Sequence, residues 1–131
     1  SLQIGYSDES NETFDLPKDH IDYGKQVAAY YYWVFPNMMF NFYPWGLSVN
    51  IVKPISTNRT KVSFLNYIYD PSKLHKGAGN DIDKVEREDE FIVENESKGI
   101  QSSFYQSGRF SPTRERGVHH FQRLIAEFLD K

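Results

Sequence analysis

Glu86 and Asp89 are the first pair of side chains in this sequence whose types and spacing could do chemistry. They lie one helical turn apart in the stretch Asp81–Phe104. At roughly 100° per residue, Ile82, Val85, Ile92, Val93, Ile100 and Phe104 share one side of a helix there. Asp89 falls in the middle of that apolar stripe, with Glu86 at its edge. Asp83, Glu88, Glu90 and Glu94 can turn to water. A carboxylate buried among apolar residues without a partner is costly, so Asp89 needs a cation, a donor or a metal. Three readings fit: an ion pair with Arg109, Arg114 or Arg116, a metal ion held from the helix, or a general acid or base. Glu86 could hydrogen-bond to whatever Asp89 holds, or simply be solvated.

The other candidates are weaker. His119 and His120 are neighbours and point about 100° apart on a helix, so both cannot easily bind one ion. A capping or packing role suits them better. His20 and His75 sit in polar loops and read as surface residues. The aromatic stretch Tyr30–Tyr32–Trp33 and the Phe35–Trp45 region, beside Asn37 and Asn41, suit either a core or the wall of a mostly apolar small-molecule pocket. No serine lies in a Gly-x-Ser-x-Gly context, and no phosphate-binding glycine loop is present. Cysteine is absent, which excludes disulfides, thiol nucleophiles and Cys-held clusters within these residues and fits a cytoplasmic location.

The elements that must position these groups follow from pattern. The length of 131 residues suits one domain, and ten Phe, nine Tyr and two Trp can fill a core. The net charge of −3, without a basic run, argues against nucleic acid, and no apolar run is long enough to span a membrane. Residues 1–25 read as an N-terminal loop or lid, polar over 7–25. Gln26–Phe35 reads as a strand, Pro36–Trp45 as a compact aromatic turn region, and Leu47–Pro54 with Thr60–Tyr69 as a hairpin about the turn Ser56–Arg59. Residues 70–80 form a loop, with Asn80 as N-cap of the acidic helix. A loop over Gln106–Gly117 then leads to a helix over Val118–Leu129. Strands before helices predict an α+β fold.

Three segments carry a resemblance: VFPNMMFNFYPWGLSVNIVKP (34–54), DKVEREDEFIVENESKGIQS (83–102) and GRFSPTRERGVHHFQRLIAEFL (108–129). In order and content they resemble the C-terminal catalytic domain of the large subunit of Rieske-type oxygenases, which act on aromatic rings or quaternary amines. The tail Ser-Pro-Thr-Arg-Glu followed by Gly-Val-His-His-Phe is its most specific part. The resemblance implies a helix-grip fold, a curved antiparallel sheet holding a long helix, with a C-terminal helix. It implies a mononuclear non-haem Fe(II) bound by two His and one carboxylate, with open positions for O₂. Asp89 takes the carboxylate's place, Glu86 stands behind it, and Ala29, Tyr31, Asn41 and Val85 line the substrate pocket.

The family's His-x₄-His pair is missing from residues 1–131, as are the Cys and His ligands of a Rieske [2Fe–2S] cluster. The chain, which begins with Ser, is therefore expected to be a single C-terminal catalytic-domain fragment, inactive alone. The resemblance further implies a Rieske domain from the same or a neighbouring subunit, a ferredoxin or reductase as electron donor, and a homotrimeric parent. The competing expectations are a non-catalytic helix-grip module that binds a hydrophobic small molecule, and a purely structural domain.

Overall fold

A computed structural model of the chain describes residues 1–8, 12–78 and 82–130. Five strands come first: β1 (Leu2–Tyr6), β2 (Val27–Val34), β3 (Met38–Tyr43), β4 (Gly46–Ser56) and β5 (Arg59–Ile68). Two helices follow, α1 (Ile82–Ile100) and α2 (Arg116–Leu129). Each strand pairs antiparallel with the next, in the order β1-β2-β3-β4-β5. This is an α+β chain with the element set of a helix-grip partial domain: one open antiparallel sheet, a long helix and a C-terminal helix. It divides into two compact units, Ser1–Asp81 with the sheet and Ile82–Lys131 with the helices.

Pleating sorts the side chains of the sheet unit onto two faces, because residues paired across an antiparallel ladder point the same way. Ile4, Tyr30, Phe42, Leu47 and Tyr67 form one cross-strand row, and Leu2, Tyr32, Phe40, Val49 and Leu65 form a second on the same face. That face is apolar in both rows. The row between them points the other way and is polar: Gln3, Tyr31, Asn41, Ser48 and Asn66. Among the described residues the buried apolar side chains are Val27, Ala28, Ala29, Trp45 and Val49.

The register is pinned at the first turn. Asn37 Nδ2 donates to the Val52 carbonyl at 2.7 Å, and the Val52 N–H donates to the Asn37 carbonyl at 2.9 Å. This pair ties the β2–β3 turn to β4. At the far end, the Trp45 carbonyl accepts from the Tyr69 and Asp70 N–H groups at 2.8 and 2.9 Å, which fixes where β5 ends.

Two expectations about the strands need correction. Residues 38–43 are a strand rather than part of a turn region. Phe40 and Phe42 face one side and Asn41 the other, an alternation masked by the aromatic density and by Pro36 and Pro44 on either side. Residues 2–6 are also a strand, not loop, because Leu2 and Ile4 pair with the Tyr32–Tyr30 edge of β2.

The helix unit starts within the expected range but ends early. Beyond Ile100 the chain turns, with the Ser102 N–H on the Gly99 carbonyl and the Tyr105 N–H on the Ser102 carbonyl, both at 3.0 Å. Gly99 and the serines at 102 and 103 favour such a turn over further helix, so Phe104 lies outside α1. The expected N-cap Asn80 and its neighbour Asp81 lie outside the described residues. The Ser-Pro-Thr-Arg-Glu motif builds the start of α2. The Ser111 N–H donates to Glu115 Oε2 at 2.6 Å, the Glu115 N–H donates to the Ser111 carbonyl at 3.1 Å, and Arg116 Nε donates to the Pro112 carbonyl at 3.1 Å.

Gly46 and Gly24 separate two kinds of glycine constraint. A Cβ on Gly46 would stand 2.1 Å from the Tyr67 carbonyl oxygen, so the β4–β5 ladder leaves no room for a side chain. Gly24 has φ +81° and open space around it. Gly46→Ala is expected to cost about 2 kcal/mol or more through forced backbone shift, and Gly24→Ala about 1 kcal/mol through conformation alone. Urea unfolding midpoints of the two variants measure the difference. Equal losses would mean that the ladder gives way without penalty at Gly46.

Candidate functional site

The sheet brings the three expected wall residues together. Tyr31 pairs with Asn41 in register, Asn41 pairs with Ser48, and Ala29 shares their face, two residues before Tyr31 on β2. Ala29 is fully buried and the other two are half-buried. Gly5 makes room for the Tyr31 ring: a Cβ there would meet Tyr31 Cε2 at 3.3 Å. The Tyr31 ring stands edge-on to Tyr43 with centroids 5.9 Å apart. Tyr43 in turn stacks on Trp45 at 5.2 Å and 10° between planes. Trp45 is 1% exposed, and its indole N–H has no hydrogen-bond partner among the described residues.

In the helix unit, Asp89 is exposed on α1 and Glu86 is half-buried. The interior position expected for Asp89 is therefore not what the structure has. Most of the stripe it belongs to is exposed, with Val85 at 51% and Ile92 at 53%, while Ile82 is half-buried. The physical reason is simple. Helical periodicity decides which side chains share a side, and burial needs a second surface in addition. Among the described residues Asp89 makes no ion pair, so Arg109, Arg114 and Arg116 do not clamp it. No group of three or more His, Asp or Glu side chains is gathered to hold a metal among the described residues. One carboxylate with an acidic neighbour suits one position of an iron site and does not complete it. His119 lies against the Phe110 ring at 5.2 Å, a packing role.

The opposite face of the sheet carries a feature that the sequence did not announce. A groove of about 480 Å³, open to solvent, is lined by Phe14, Tyr30, Tyr32, Val34, Phe40 and Phe42. One end is organised by Asp22, which is 6% exposed. Its carboxylate accepts from Lys25 Nζ at 2.7 Å and from the Tyr30 hydroxyl at 3.0 Å. His20, expected at the surface, is half-buried. Its Nδ1 accepts from the Asp22 N–H at 3.1 Å and its ring lies 6.3 Å from Tyr30. Phe14 is held to β2 by its N–H on the Val27 carbonyl at 2.8 Å and packs on Tyr30 at 5.5 Å. Nothing in the spacing of Phe14, His20, Asp22 and Tyr30 singles them out, because a loop folding back onto a strand has no period. The only hint is an acid beside a strand rich in tyrosine.

The charges in this cluster reinforce one another. The Lys25 ammonium beside Asp22 holds its carboxyl below the usual carboxylate range, against the opposing effect of burial and with help from the Tyr30 hydroxyl. Asp22 in turn raises Lys25. Burial, then the Asp22 carboxylate, push the Tyr30 phenol up to about 12.

Comparison with known proteins bears on the whole chain. The family described as "Ring hydroxylating alpha subunit (catalytic domain)" matches residues 6–131. Among similar proteins, a chloroplastic choline monooxygenase of Arabidopsis thaliana is 35% identical over 103 residues, 74% of this chain and 24% of the relative. That of Atriplex hortensis is 33% identical over 110 residues, 79% of this chain and 24% of the relative. That of Spinacia oleracea is 31% identical over 109 residues, with the same shares. The chain thus spans about a quarter of the length of these relatives. No solved structure matches significantly.

Linkage gives the Asp22 cluster a defined pH window. A lowered carboxyl contributes stability that is present above its ordinary value of 3.8 and is lost as pH falls through the folded value. A raised ammonium contributes stability that is present below its ordinary 10.5 and is lost as pH rises through the folded value. Asp22→Asn is expected to remove the acid-side loss that belongs to this residue and to lower the Tyr30 phenol from about 12 while leaving it above 10. An NMR pH titration of Tyr30, with urea midpoints taken across pH, checks both. An unmoved Tyr30 titration would mean that burial alone sets it.

Proposed function

The chain belongs to the family of ring-hydroxylating alpha-subunit catalytic domains, and we propose that it is a catalytic-domain piece of a Rieske-type oxygenase acting on a small quaternary amine. The family match across residues 6–131 carries this reading. The choline monooxygenases among the relatives favour a quaternary amine over an aromatic ring as substrate. In the complete enzyme Asp89 contributes the carboxylate ligand of a mononuclear Fe(II), and Glu86, one turn earlier, hydrogen-bonds to orient it. The two imidazole ligands and the [2Fe–2S] cluster come from parts of the parent outside this sequence, where no His-x₄-His pair and no Cys occurs. This chain alone is expected to hold iron weakly and to turn nothing over.

When bound, the iron supplies the activation of O₂ by which the parent hydroxylates a C–H bond. The chain's own residues bind and orient. Tyr31, braced edge-on by Tyr43, offers a ring face that attracts a quaternary ammonium. The Asn41 amide, directly across from Tyr31, can hydrogen-bond a polar group of the same substrate. Ala29 keeps the wall low beside Tyr31. Electrons reach the parent's iron from a Rieske domain of the same or a neighbouring subunit, fed by a ferredoxin or reductase, in a trimer of large subunits.

Asp89→Ala in the full-length parent is expected to remove the mononuclear iron and activity while the visible absorbance of the [2Fe–2S] cluster stays. Glu86→Gln should weaken iron retention roughly 10–100-fold. Metal analysis together with turnover reads both variants. Full iron and activity in the Asp89 variant would exclude the ligand role.

A further inference from the structure

We propose that the groove on the apolar face of the sheet, opposite Tyr31 and Asn41, binds a small methylated ammonium ion. Five of its six lining residues are aromatic: Phe14, Tyr30, Tyr32, Phe40 and Phe42, with Val34 the exception. Tyr30 pairs in register with Phe42, and Tyr32 with Phe40. Tyr32 and Phe42 meet edge to face at 5.8 Å and 87°, while Phe14 tilts onto Tyr30 at 47°. Rings set at such angles turn their planes in different directions along one groove. Each face carries the negative part of the ring quadrupole, worth about 0.5–1 kcal/mol to a cation at an exposed site.

Charge and chemistry narrow the ligand. Among the described residues of the segment that supplies Phe14, five acidic side chains (Asp8, Glu12, Asp15, Asp19 and Asp22) stand against two lysines, so it favours cations over anions. The Tyr30 hydroxyl donates to the buried Asp22 carboxylate, which fixes the ring and makes it richer in electrons. No carboxylate is among the lining residues. A primary ammonium keeps three strong donors that need acceptors, which this lining does not supply in number. A quaternary ammonium spreads its charge beneath methyl groups and needs only faces and apolar contact. A neutral aliphatic ligand would gain from the area but nothing from the rings' electrostatics. The groove's volume of about 480 Å³ admits such an ion with room to spare.

This inference does not use iron or turnover, so it stands or falls apart from the proposed function. The test is an NMR titration of the 131-residue chain with tetramethylammonium, with choline, and with choline's uncharged tert-butyl analogue. Saturable millimolar binding is expected, with shifts at Tyr32, Phe40 and Phe42. The uncharged analogue should bind about tenfold more weakly, the equivalent of two or three ring contacts. Tyr32→Leu and Phe42→Leu should each weaken the cation several-fold, and Tyr32→Phe should retain it, with circular dichroism confirming that each variant folds. Equal affinity for the uncharged analogue, absence of saturation, or unchanged affinity in both Leu variants would overturn the proposal. Shifts confined to Tyr31 and Asn41 would overturn it too, while supporting the substrate wall proposed above.

Discussion

The pairing register of β2, β3 and β4 is the constraint on which the rest of the sheet unit depends. Side chains alternate with a period of two, so a slip of one residue would exchange the faces of every paired position. Asn37 resists that slip by bonding to Val52 through both its side chain and its backbone. With the register held, Tyr31, Asn41 and Ser48 fall in one polar row, and Tyr30 with Phe42 and Tyr32 with Phe40 fall on the reverse. One strand pair therefore builds two chemically different surfaces. The Phe-Pro-Asn stretch that helps mark the family has a structural task in this register, since its asparagine fixes which residues face which side.

Asp22 does for the loop what Asn37 does for the turn. A buried carboxylate is tolerable only when its lone pairs are engaged, and here an ammonium, a phenol and a nearby imidazole converge on that segment. The consequence is local order in a segment whose composition reads as a polar loop or lid. Phe14 and Tyr30 acquire fixed positions because Asp22 is satisfied, and the groove acquires a defined end.

Much of this architecture was legible in the sequence wherever a period was long enough. The alternation of Leu47, Val49 and Ile51 announced β4, and the stripe through Val85 and Ile92 announced α1. The short strand over residues 38–43 was hidden between prolines in an aromatic run, and β1 had too few residues to show a pattern. Ala29, Tyr31 and Asn41, placed on one wall by resemblance, do share a face. The Asp22 cluster was not legible, because contacts between a loop and a strand follow no spacing rule. For Asp89 the pattern gave only the neighbours it shares a side of the helix with. Burial was a separate inference, and it did not follow.

That separation bears on how the chemistry is divided in this family. An exposed carboxylate costs little, so α1 can carry Asp89 with no ion pair among the described residues. A carboxylate already walled into an apolar interior would need its cation from the start. Metal sites of three ligands become stable only when all donors converge, since each ligand loses its own hydration and must be deprotonated to bind. Under the ligand role proposed for Asp89, a segment with one donor has no reason to be organised around the ion. Its residues instead show what a binding wall needs in advance: register, braced rings and satisfied buried polar groups. Order in the sheet unit and exposure at Asp89 thus follow from one principle, that side chains are fixed in advance where partners within the same unit satisfy them.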